Sequence, residues 1–160
     1  MASLVSTLRD TRARSGRNIG TMPIVGPALR FVLSRRGLVT LAAIQRVRKA
    51  GREWFPVKVT GISMIPTLRP GDLLAVRFPR AGEPRAGQIV IATTDERELV
   101  KRVIATPGER MAGRALADDE FLLGGDNTRA VGSPIRAARG DIVGIVRSRY
   151  WPAGRARLFP

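Results

Sequence analysis

Pro70-Gly71-Asp72-Leu73-Leu74-Ala75-Val76-Arg77-Phe78 sets a turn signal directly before a short apolar run. Proline and glycine punctuate a chain, and a run this short after such a signal reads as a strand. The same grammar repeats on either side. Upstream, Pro56 to Thr60 alternates as Val57-Lys58-Val59. Downstream, Gln88-Ile89-Val90-Ile91-Ala92 follows Ala86-Gly87, and Leu99 to Ala105 runs into Thr106-Pro107-Gly108-Glu109. Glu120-Phe121-Leu122-Leu123 runs into Gly124-Gly125-Asp126-Asn127, and Ile142 to Tyr150 ends before Trp151-Pro152. Several short strands at this spacing predict a mainly β fold, a barrel-like or folded antiparallel sheet. No repeat and no linker interrupts residues 54–152.

Three segments follow from this reading. Residues 1–20 are small, polar and arginine-rich, as in Thr11-Arg12-Ala13-Arg14-Ser15-Gly16-Arg17, and read as a flexible basic tail. Residues 21–53 form a partly amphipathic helical segment, and residues 54–160 the β-domain. From Leu38 to Ala50 the apolar positions Leu38, Leu41, Ile44 or Ala42, and Val47 stand against Arg46, Arg48 and Lys49, which suits an amphipathic helix. Such a helix either packs on the domain or lies on a membrane surface. Arg30, Arg35 and Arg36 break the apolar stretch well short of the roughly 18–20 residues a spanning helix needs. No secretory signal is expected either, because no apolar core of the needed length follows the first charges. The expectation is a cytoplasmic or peripherally membrane-associated protein without a transmembrane anchor.

At 160 residues the chain suits one domain with a real core. It has no cysteine and no histidine. Disulfides, thiol nucleophiles, imidazole bases and a Ser-His-Asp triad are therefore excluded. Acid–base chemistry near neutral pH would fall to a lysine, a carboxylate or a tyrosine. The formal charge is +15, from 28 basic against 13 acidic residues, yet only Lys49, Lys58 and Lys101 are lysines. Arginine stays protonated, whereas a lysine can lose its proton on burial. The charge fits an anionic membrane surface met through the basic N-terminal region, an acidic partner, or an arginine-rich proteome. Aromatics make up 5% and do not interleave with a basic run, so nucleic-acid binding is not expected.

Two stretches carry candidate chemistry. Gly61-Ile62-Ser63-Met64-Ile65-Pro66-Thr67-Leu68-Arg69-Pro70-Gly71-Asp72 puts a serine in an apolar run before a turn. Leu99-Val100-Lys101-Arg102-Val103-Ile104 puts a lysine in a strand-like aliphatic run. A serine hydroxyl is a poor nucleophile until a base takes its proton, and a neutral amine can do so. Strand alternation sets Lys101 on one face with Leu99 and Val103, and Arg102 on the other with Val100 and Ile104. Taken alone, a lysine in such a strand more often snorkels than reacts.

With Gly125-Asp126-Asn127, these stretches match a known pattern in order, content and spacing. Residues 57–152 resemble the signal peptidase I family of serine peptidases. The resemblance implies a folded β-sheet catalytic domain and a Ser/Lys endopeptidase that removes a leader after small residues, without metal or cofactor. It implies Ser63 as nucleophile and Lys101 as general base, with Met64 and Pro66 shaping the site. Asp72, Arg102, Asp126, Asn127, Thr128 and Arg129 would support it. Many members have a serine or threonine where this chain has Gly61, so the oxyanion would depend on backbone amides, chiefly that of Ser63. The family's Ser-x-Asp-Ser-Arg continuation is replaced by Thr128-Arg129-Ala130-Val131-Gly132-Ser133-Pro134-Ile135-Arg136. The closing Arg149-Tyr150-Trp151-Pro152 and the short spacing from Ser63 to Lys101 are similar to the nickel superoxide dismutase maturation proteases. Those act on a cytoplasmic precursor.

The implied partner is a precursor protein with small residues before the cut. Two other readings use the same fold. One is a self-cleaving Ser/Lys regulator, although residues 1–50 show no helix-turn-helix pattern. The other is an inactive module that binds peptides at a sheet edge.

Overall fold

In a computed structural model, the described residues are 41–94, 97–111, 113–129 and 132–160. The flexible tail read over 1–20 and the part of the helical segment before Leu41 lie outside them, as do Ala130 and Val131.

Among the described residues, one helix, α1 (Leu41–Lys49), precedes the sheet. Ile44 is 2% exposed, and Ala43 and Val47 pack beside it against the core. Gln45, Arg46, Arg48 and Lys49 are exposed. The apolar stripe is thus spent on the domain, which is what stabilises so short a helix.

Ten strands of the described residues follow: β1 (Trp54–Lys58), β2 (Leu73–Arg77), β3 (Ile89–Thr94), β4 (Arg97–Ala105), β5 (Arg110–Met111), β6 (Arg114–Ala115), β7 (Glu120–Gly124), β8 (Ile135–Ala138), β9 (Ile142–Trp151) and β10 (Arg157–Leu158). Eight of them make one sheet in the order β1-β2-β9-β3-β4-β7-β8, with β10 on β9. Its pairings are antiparallel. The path ends at β1 and β8, so the sheet is folded but open, short of the closed barrel. Pro56 has no N–H to give a second neighbour, and its strand β1 pairs only with β2.

Register shifts bend the sheet where β9 meets β2 and β3, and where β4 meets β7. Bulges of this kind raise the local twist and fold a sheet back on itself. Alternate residues of β3 consequently enter different cores. Ile89 and Ile91 join Phe55, Val57, Met64, Leu68, Leu74 and Val146. Val90 and Ala92 join Val103, Phe121, Leu123 and Ile145. Burial of both faces explains why β3 reads as a continuous apolar run rather than an alternating one. Gly144 lets β9 pass close by, because a Cβ there would collide with Val76 and the Phe55 ring.

Candidate active site

The Ser63 segment is a compact loop between β1 and β2. Met64 and Leu68 are 1% and 0% exposed and plug the first core. The Ile65 N–H donates to Ile62 O at 3.2 Å and the Leu68 N–H to Met64 O at 2.8 Å, which winds the chain tightly. Ser63 is left half-buried between exposed Ile62 and buried Met64. Pro66 is exposed. Among the described residues, the Ser63 backbone N–H has no hydrogen-bond acceptor.

Asp72 closes the loop. Its backbone accepts from the Val59 N–H at 2.9 Å, while Gly71, at φ +93°, turns its N–H onto Val59 O at 2.8 Å. The carboxylate is fully buried. It accepts from the Arg69 N–H at 2.9 Å, Arg155 Nη2 at 2.6 Å and Arg149 Nη1 at 3.3 Å. Arg149 also donates to Thr67 O at 2.7 Å and to Arg155 O. Nothing in the sequence reading assigned a role to Arg149 or Arg155 beyond the first being part of a closing motif. A buried carboxylate needs cationic partners, but distant arginines are too common in this chain for spacing to single these out.

A second tie joins the loop to β4. The Asn127 N–H donates to Ser63 O at 3.0 Å, and its side-chain amide to Ile62 O at 3.0 Å. The Asn127 Oδ1 caps the following turn by accepting from the Arg129 N–H at 3.2 Å. One residue earlier, Asp126 takes a forked pair from Arg102, Nε at 2.8 Å and Nη2 at 2.6 Å, and Arg102 Nη1 reaches Gly87 O at 2.7 Å. Burial pushes the Asp126 carboxyl up. Hydrogen bonds from Arg102 and the Thr67 hydroxyl, with the Arg102 charge, outweigh it and hold the group below its ordinary value. The same hydrogen bond raises Arg102. Thr128 and Arg129 are exposed, and neither side chain forms an ion pair among the described residues.

Lys101 follows Val100 on β4 and stands opposite Val90 in the β3–β4 register. It is half-buried, and its side chain makes no hydrogen bond or ion pair among the described residues. A cleft of about 130 Å³ runs past Ser63. Its walls come from Val57 to Gly61, from Met64 and Ile91, and from Glu98, Leu99 and Val100 of β4, with Ile44 of α1 added. Lys101 is not among the lining residues; it comes one position after them. Gly61 lies in the wall, and a Cβ built on it would meet nothing within 4 Å.

Along the β4 side of the cleft, β7 pairs only from Arg102 onward. Among the described residues, Val100 therefore has a strand neighbour on one side alone, which leaves an opening along β4.

The model of the family described as signal peptidase, peptidase S26 matches residues 32–130. The chain belongs to that family. The match takes in α1, the Ser63 loop, β4 and Gly125-Asp126-Asn127. Among curated proteins, none matches the chain. No helix of the described residues is long and apolar enough to cross a membrane.

Proposed function

We propose that this S26 member is a serine endopeptidase that removes an N-terminal leader from a precursor, with Ser63 as nucleophile and Lys101 as base. The observation that carries the reading is the pair of ties flanking Lys101. Val100 shares the cleft with Ser63, and Arg102 grips Asp126, whose neighbour Asn127 holds Ser63 O. The two residues flanking Lys101 thus tie the β4 backbone to the serine loop, with their side chains on the strand face opposite to that of Lys101. A lysine without an ionic partner among the described residues, half-buried on an aliphatic strand, has the chemistry asked of such a base.

In the mechanism, a precursor strand lies along the β4 opening with a small side chain in the cleft. Ser63 Oγ attacks the scissile carbonyl while neutral Lys101 takes its proton. The oxyanion forms against the Ser63 N–H, which has no acceptor of its own among the described residues. Lys101 then gives the proton to the departing amine. Water, activated by the same amine, attacks the acyl-Ser63 carbonyl and releases the leader. A cleft of about 130 Å³ suits a small side chain, being well under the roughly 300–1,000 Å³ typical of small-molecule sites.

The test is turnover of precursor peptides with alanine before the cut by wild type, Ser63→Ala and Lys101→Met. Wild-type cleavage with both variants reduced at least about 10³-fold is expected, since removing either member of a nucleophile–base pair costs most of the catalysis. Normal turnover by either variant would sink the pair. Binding without cleavage would favour the peptide-binding module, and cleavage of the intact chain by itself would favour the regulator.

A further inference from the structure

One wall of the cleft comes from outside the sheet. Ile44 of α1 lines it together with Val57, Val59, Ile91 and Val100. The side chain is 2% exposed and belongs to the same buried core as Val57, Val59 and Ile91. A β-branched residue so held has one χ1 setting and no room to swing aside. Wall and floor are therefore rigid on the helix side, while the β4 side carries the opening.

The cleft is small enough for one methyl group to matter. In a hydrophobic pocket, one methylene more or less discriminates by about 10–200-fold. We propose that Ile44 is a specificity-determining residue, which limits the size of the substrate side chain that enters the cleft just before the scissile bond. The inference rests on the peptidase reading above and extends it. The helix ahead of the catalytic sheet becomes part of the substrate site rather than only a cover for its core. Selectivity is then set from a segment whose sequence can change without altering any residue of the Ser63 loop or of β4.

The experiment uses the full chain carrying Ser63→Ala, so that peptides bind without being cut, and compares Ile44, Ile44→Val and Ile44→Ala. The probes are peptides with alanine, valine or leucine at each of the last positions before the cut. The expected result is a gain for leucine over alanine at one position of about tenfold in Ile44→Ala, with a smaller gain in Ile44→Val. Ile44→Val loses a single methylene and keeps the shape of the core, so it reports even if Ile44→Ala fails to fold. An unchanged leucine-to-alanine ratio in folded variants overturns the inference. Binding of all peptides weakened in parallel overturns it equally, since that marks a structural residue. The same ratios read in cleavage by chains that retain Ser63 separate the two claims. A shifted binding ratio with no turnover supports the Ile44 wall and sinks the peptidase reading. Turnover with an unshifted ratio does the reverse, and no binding of any peptide overturns both.

Discussion

The Asn127 N–H donates to the Ser63 carbonyl oxygen at 3.0 Å, across a separation of 64 residues in the chain. Through it, the candidate nucleophile is referenced to the turn after β7 and not only to its own loop. The Asn127 amide adds a bond to Ile62 O, and Asp126 extends the link to β4 through Arg102. Asn127→Ala keeps the backbone bond and removes both side-chain bonds, the one given to Ile62 O and the one accepted from the Arg129 N–H. The expected cost is about 0.5–1.5 kcal/mol in stability, with kcat falling more than KM rises. Equal loss in both parameters, from steady-state kinetics on a leader peptide, would separate Asn127 from the alignment of Ser63.

The buried carboxylate of Asp72 should be the most costly charge to remove. Asp72→Ala leaves Arg149, whose side chain is 9% exposed, without its anion. Breaking a buried pair from one side costs about 3–5 kcal/mol. Arg155, 34% exposed, is worth less because water can replace its partner. The expected order of destabilisation is Asp72→Ala, then Arg149→Ala, then Arg155→Ala, read as urea midpoints at constant m-value. A larger loss for Arg155→Ala than for Arg149→Ala would contradict it.

Acid should loosen the same framework in a defined window. Burial raises Asp126 and Glu83, but each ends below its ordinary value of 3.8 or 4.5. Asp126 is held there by Arg102 and Thr67, and Glu83 by Arg77 and the Arg80 N–H. A carboxyl with a lowered folded-state pKa binds fewer protons folded than unfolded. Its contribution is therefore complete above the unfolded value and is lost as pH falls through the folded one. Stability should hold from pH 7 to about 5 and decline below about pH 4. Asp126→Asn should flatten that decline while lowering the plateau. An acid limb identical to wild type would rule Asp126 out as a contributor.

The β-domain was legible because its strands are short, apolar and separated by proline and glycine. β3 shows the limit of that reading. Its apolar run marks a strand, but only the bulges facing β9 reveal that its two faces feed two cores. The helix was legible from Ile44 and Val47 set against Arg46 and Arg48. What its stripe covers was not, since periodicity names a face and not its partner. Ser63, Lys101 and Gly125-Asp126-Asn127 stood out as local motifs. The clasp of Asp72 by Arg149 and Arg155 did not, because it spans separations of 77 and 83 residues and uses the commonest side-chain charge in the chain.

Gly61 offers a gain rather than a loss. It lines the cleft two residues before Ser63, its φ is not in the left-handed range, and a Cβ there meets nothing within 4 Å. Gly61→Ser should therefore fold with a stability change within about 0.5 kcal/mol. Its hydroxyl would stand on the cleft side, where a second donor to the developing oxyanion can assist the lone Ser63 N–H. An oxyanion donor in a fully built site is worth about 10²–10³ in kcat. A hydroxyl added to a loop not shaped around it should return a fraction of that, roughly 2–10-fold in kcat with KM little changed. Gly61→Ala supplies the control, because it fills the same space without a donor. A rise in kcat for serine but not alanine would locate the oxyanion at this wall of the cleft. Equal rates for the two variants would mean that the negative charge develops elsewhere.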